Sequence, residues 1–154
     1  MKVAMVKHTA NGKVFWFEVP DGLGEITPNS SVMCYTARGR QYGTIVGAVC
    51  DESDVHDVMV ASGASLPLRK ITDVVQAVPM DTIKIPEYMA RTKPSDNKIA
   101  KRFLEYYHNR RFDTAVMLDN NGLLKDGYSA YLVAKLLHFK YLYAIIEPAE
   151  KLLF

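Results

Sequence analysis

The pattern of apolar and polar positions changes once along the chain, near residues 79–86. Ahead of that point, apolar residues come in short β-branched and aromatic runs broken by glycine, asparagine and aspartate. Val14-Phe15-Trp16-Phe17-Glu18-Val19 is the densest run, and Asn11-Gly12 before it is a favoured hairpin turn pair. Segments 3–7 and 14–19 are therefore expected to pair. Segments 31–36 and 41–49 flank Ala37-Arg38-Gly39-Arg40 and predict a second hairpin. Segment 65–78, with Ile71, Val74, Val75 and Val78, predicts a short extended piece or a turn-rich connection. Short strands joined by glycine turns predict a small β-barrel-like or curled antiparallel sheet module over residues 1–80. The run Asp51-Glu52-Ser53-Asp54-Val55-His56-Asp57 lacks the glycine and distal glutamate of an EF-hand loop. It reads as a solvated acidic loop, not as a metal site.

Beyond the boundary, helical periodicity enters. Ile83-Lys84-Ile85-Pro86 predicts a short edge strand ended by proline. Ser95 is placed to cap a helix that starts at Asp96 and closes over residues 109–113. Its Ile99, Phe103 and Tyr106 fall on one face, and Lys98, Lys101, Arg102 and Glu105 on others. Segment 114–118 predicts a strand, Asp119-Asn120-Asn121-Gly122 a turn, and 123–125 a second strand. Asp126-Gly127 leads into a helix over 128–138 with Tyr131, Ala134 and Leu137 inward, and 141–146 is a last strand stopped by Pro148. The whole is an α+β chain, a β module over 1–80 and a mixed α/β unit over 83–154.

Composition narrows the function classes. With 154 residues, 49% hydrophobic and 23% charged, the chain has ordinary globular values and length enough for a sizeable core. Two cysteines make no disulfide framework, and Cys34, beside Met33 and Tyr35, reads as strand packing. The start of the sequence has no secretory signal pattern, its end no lipid-anchor pattern, and no run approaches a membrane span. A cytoplasmic protein without membrane partners is expected.

The net charge of +2 conceals a division. Residues 1–83 carry 7 basic and 9 acidic side chains, and residues 84–154 carry 12 and 8. Eight of those basic residues lie between Lys84 and Arg111, against three acids. Such a cluster complements phosphate, which makes Lys101, Arg102, Arg110 and Arg111 nucleic-acid candidates. Arg38 and Arg40 at the hairpin tip join them. The turn after Lys125 is a separate candidate. A helix starting behind Gly127 points unpaired N–H groups and a positive dipole end at one spot, and Ser129 adds a hydroxyl. The histidines are scattered, and no P-loop or nucleophile elbow occurs.

Segment 112–137, with its apolar strand, Asp-Asn-Asn-Gly turn, second strand, Asp126-Gly127 and Ala134-Lys135, resembles the ParB/sulfiredoxin superfamily. Ile83-Lys84-Ile85-Pro86 and Lys93-Pro94-Ser95-Asp96-Asn97-Lys98 resemble that family's opening strand and the turn before its first helix, so the likeness covers about residues 83–147. It implies a ParB-like α/β domain whose Asp-Gly turn holds nucleotide phosphates, CTP in ParB proteins and ATP in sulfiredoxin. Candidates carried by that likeness and by the turn itself are Lys93, Lys98, Lys125, Asp126, Gly127, Tyr128 and Ser129. The motif is degenerate. Sulfiredoxin's Cys-His-Arg positions hold Tyr128, Ser129 and Ala130, which removes the thiol nucleophile, and ParB's acid and arginines are absent from the same three positions. Segment 32–49 also resembles the basic hairpin of SH3-like barrels.

Together these features predict a non-catalytic binding protein that contacts DNA or a DNA-handling protein. The resemblance implies a bacterial, phage or mobile-element setting. The alternative is a switch or enzyme that binds CTP or ATP with magnesium through substitute ligands such as Lys93, Lys98 or Arg102. A purely structural or inhibitory module with one protein partner is a third reading.

Overall fold

The β-branched and aromatic runs of the first half form strands. In a computed structural model, described here over residues 1–147, these are β1 (Lys2–Lys7), β2 (Val14–Val19), β3 (Ser31–Thr36), β4 (Gly39–Asp51) and β5 (Ile71–Pro79). One helix, α1 (Glu52–Ala61), lies between β4 and β5. The second half contributes α2 (Glu87–Arg91), α3 (Asp96–Asn109), β6 (Val116–Leu118), β7 (Leu124–Asp126), α4 (Tyr128–Leu136) and β8 (Tyr141–Ile146). The fold is α+β. The expected strand stop at Pro148 and the segment 150–154 lie outside the described residues. Among the described residues no helix is long and apolar enough to cross a membrane.

The chain forms two compact units that divide between Val75 and Gln76, inside β5. In the first, the strand order is β2-β1-β4-β3 followed by the first half of β5, every ladder antiparallel. β4 makes the curl: residues 39–44 pair with β3, and residues 44–51 pair with β1. The change of partner is accompanied by a register shift opposite Val3–Met5 and by Gly47 at φ +72°, a conformation that residues with a Cβ rarely adopt. The inward side holds Ala4, Val6, Phe17, Val32, Cys34, Ile45 and Ile71. Across the far edges a single bridge joins Glu18 to Lys70, and the Glu18 N–H donates to the Arg69 carbonyl at 2.9 Å. This curls the sheet without closing it by a ladder. The Cys34 thiol is pushed up to about 12 by burial, so it stays protonated and packs as an apolar group.

Two expectations for this unit are corrected. The β1–β2 register pairs Lys7 with Val14, so the connection spans residues 8–13 and Asn11-Gly12 is no two-residue turn. The acidic run is no loop. Asp51 ends β4 as the N-cap of α1, and Glu52 and Asp54 stand in the first turn, where carboxylates complement the helix dipole. Met59 anchors this helix in the interior.

In the second unit the order is the last residues of β5, then β8, β6 and β7. β8 runs antiparallel to β5 and parallel to β6, and β6–β7 is an antiparallel pair. Val116, Leu118, Leu124, Leu142 and Ala144 form one sheet face, and Ala130, Tyr131, Val133 and Ala134 of α4 pack in the same core. α3 packs on α4, bringing Tyr106 against Phe112 and Phe139 with ring centroids 5.9 and 4.7 Å apart. Ser95 caps α3 as expected, its Oγ accepting the Lys98 N–H at 3.3 Å.

The strand expected over 83–86 shrinks to one bridge, Lys84 with Leu123, because Pro86 removes a donor and starts α2. α4 ends at Leu136, and Leu137 is exposed, because His138 turns left-handed at φ +57°. Two side chains of α3 reverse their expected sides. Phe103 is 42% exposed, and Glu105, expected outward, is buried at 9%.

Candidate functional site

Glu105 is inside because it has partners there. Its carboxylate accepts the Arg102 guanidinium at 2.8 and 2.5 Å and the Asp113 backbone N–H at 3.0 Å. One carboxylate thus neutralises a cation of its own helix and fastens the loop that follows it. The helix itself stops at Arg110, left-handed at φ 58°, whose N–H donates to the Tyr106 carbonyl at 2.7 Å. Glycine is the usual residue in that position, so an arginine there costs about 1 kcal/mol.

With Ile99, Arg102, Glu105 and Tyr106 turned inward or to the loop, the opposite side of α3 is left with Ala100, Phe103, Leu104 and Tyr107. Leu104 is 50% and Tyr107 59% exposed. Phe103 and Tyr107, one turn apart, lie with ring centroids 6.3 Å apart and planes at 22°. Ala100 and Leu104 also line a shallow, open depression of about 450 Å³, together with Asn97, Lys101, Glu105, His108, Asn109 and Asp113; Phe103 and Tyr107 do not line it. Burial, and next the Glu105 charge, holds the Asp113 carboxyl above its ordinary value.

That shift has a pH consequence. The native state holds the Asp113 proton more tightly than the unfolded chain does. Its contribution to stability is therefore present below the ordinary value of 3.8 and is lost as pH rises through the raised value. Asp113→Asn is expected to raise the midpoint of thermal unfolding at about pH 7 and to change it little at about pH 3. Scanning calorimetry across that interval checks it; an unchanged midpoint at neutral pH would contradict the repulsion.

The expected nucleotide residues have these surroundings. Lys93 is exposed in the segment between α2 and α3, and Lys98 is exposed on α3. Lys125 and Asp126 are exposed on β7, Gly127 is the N-cap of α4, and Tyr128 and Ser129 open that helix half-buried. Gly127 has φ +98°, and a Cβ on it would lie 2.7 Å from Val116 Cγ1 and 3.1 Å from Val116 Cα. The close approach that requires glycine is thus made by β6. The Asp126 carboxylate sits at the mouth of the turn, its Oδ1 accepting the Gly127 N–H at 2.8 Å. Its negative charge lies where a phosphate would have to come. Ala130, where the resemblance would place arginine, is 4% exposed in the core.

The nucleic-acid candidates divide between the units. Arg38 is exposed at the β3–β4 turn, and Arg40 on β4 is ion-paired with Asp73 on β5, across the intervening β3. In the second unit Lys101, Arg110 and Arg111 are exposed on α3 and just after it, and Arg102 is the partner of Glu105. Leu104, His108 and Asp113 complete this surface without having been named as candidates, and Phe103 was expected on the core face. The signal for Phe103 and Leu104 is the second apolar stripe, at 100, 103, 104 and 107, which runs beside the core stripe on one helix.

A scan against protein-family models finds no match, and a search of curated proteins finds none. Among solved structures, the chain is similar to a Pnob8-like ParB-N domain, at 20% identity and a TM-score of 0.43. That likeness covers 49% of this chain and 30% of that one, so the chain spans under a third of its length.

Proposed function

We propose that this protein is a binding module that contacts nucleic acid through the outward side of α3 and the residues that follow it. One observation carries the reading: the acids of segment 84–111 are engaged internally, and its cations are in excess. Glu87 pairs with Arg91, and Glu105 pairs with Arg102. Of the three acids only Asp96 is left, in the first turn of α3, where it serves the helix dipole. Lys98, Lys101 and Arg110, all exposed, thus give the helix and its C-terminal end a positive field. The reading is one of binding, with a DNA-handling protein as the other partner class.

The strained arginine supplies the test. Arg110→Gly relieves a left-handed backbone and removes a cation, so stability and binding are expected to move in opposite directions. Thermal unfolding should show a gain of about 0.5–1 kcal/mol. Gel-shift or anisotropy titration over a salt series should show weaker binding, with the log–log salt slope smaller by about one. Lys101→Ala should lower the slope likewise without the gain in stability. Absence of salt-sensitive binding by the unaltered protein would remove the reading.

A further inference from the structure

The outward side of α3 offers aromatic rings as well as charge, and the rings discriminate between forms of nucleic acid. In a duplex, each base face is covered by its neighbours, and a protein meets only phosphates and groove edges. In a single strand the faces are open, and stacking on an aromatic side chain is favourable whatever the sequence. Phe103 and Tyr107 are half-exposed, one turn apart and nearly parallel. A helix meant only to lie along phosphates has no use for two adjacent exposed rings, which lose free energy in water. Past Ala100 and Leu104 on the same helix, the shallow depression is lined by Asn97, His108, Asn109 and Asp113. Amides and carboxylates are the groups that hydrogen-bond base edges.

Resting on the nucleic-acid reading above, we infer that the ligand of this surface is single-stranded nucleic acid. Bases stack on the Phe103–Tyr107 pair, and Lys101 and Arg110 meet the backbone phosphates. An apolar protein partner would instead desolvate the Lys101 ammonium and the Asp113 carboxyl against a face that gives them no counterpart.

The test is fluorescence anisotropy of the full chain with a labelled thymidine oligomer of about 20 nucleotides and with a duplex of the same length. The single strand is expected to bind at least about tenfold more tightly. Phe103→Ala and Tyr107→Ala should each weaken single-strand binding about tenfold or more and leave duplex binding unchanged, whereas Tyr107→Phe retains it. Thermal unfolding of each variant verifies the fold, and if Phe103→Ala unfolds, the more exposed Tyr107 decides. Equal affinity for both probes, or aromatic variants without effect while Lys101→Ala still weakens binding, would overturn the single-strand assignment and leave the nucleic-acid reading standing. No salt-sensitive binding to either probe would sink both.

Discussion

Gly127→Ala is expected to destabilise the second unit by about 2–5 kcal/mol. Two costs add. A residue with a Cβ at φ +98° gives up about 1–2 kcal/mol. The new methyl then meets Val116 at its Cγ1, Cβ and Cα, at 2.7, 3.0 and 3.1 Å. Val116 is 1% exposed and paired with Ala144 on β8, so its backbone cannot retreat without loosening the β6–β8 ladder. Overpacking of this kind costs about 1–3 kcal/mol. Urea unfolding followed by circular dichroism measures the sum. Ser129→Ala, two residues on, is the control and should stay within about 0.5 kcal/mol. A loss below about 1 kcal/mol for Gly127→Ala would show that β6 yields cheaply and that packing does not explain the glycine.

Glu105→Ala is expected to cost about 2–3 kcal/mol. The side chain is buried, and its removal strands the Arg102 guanidinium and the Asp113 N–H together. Breaking a fully buried pair costs more than this, but the Arg102 side chain is one-third exposed and can turn to water. Glu105→Gln keeps an acceptor for the Asp113 N–H and should recover part of the loss. The substitution also removes a charge that raises the Asp113 carboxyl. The benefit of Asp113→Asn should therefore shrink in a Glu105→Ala background, a non-additivity that a double-mutant cycle reads directly.

β1 to β4 and the β6–β8 region were legible because β-branched and aromatic runs and glycine turns are local signals, whereas the residues of β5 read equally as a turn-rich connection. β8, with Leu142 and Ala144 inward, follows alternation, whereas β3 buries Val32, Met33 and Cys34 in one continuous run. α1 was not legible as a helix, because a run of acids and valines without a clear apolar stripe hides a segment anchored by Met59 alone. α3 was legible as a helix but not in its facing. Ile99 and Tyr106 mark the core side, yet Phe103 and Tyr107 form an equally regular stripe beside it, and periodicity cannot say which stripe is covered. Glu105 was unreadable for another reason: its burial depends on Arg102 and on a loop amide, and the latter lies eight residues away. The Asp126-Gly127 turn was located correctly, whereas the reason for its glycine lay in Val116, on a different strand.

β5 makes the chain report on its own opening. Its amides from Ile71 to Val75 lie in the ladder with β3, and those from Gln76 onward in the ladder with β8. Hydrogen exchange along this one strand therefore samples both compact units within a single peptide fragment. A step in protection at Val75–Gln76 would give the difference in their opening free energies, and a uniform rate would mean that they open as one.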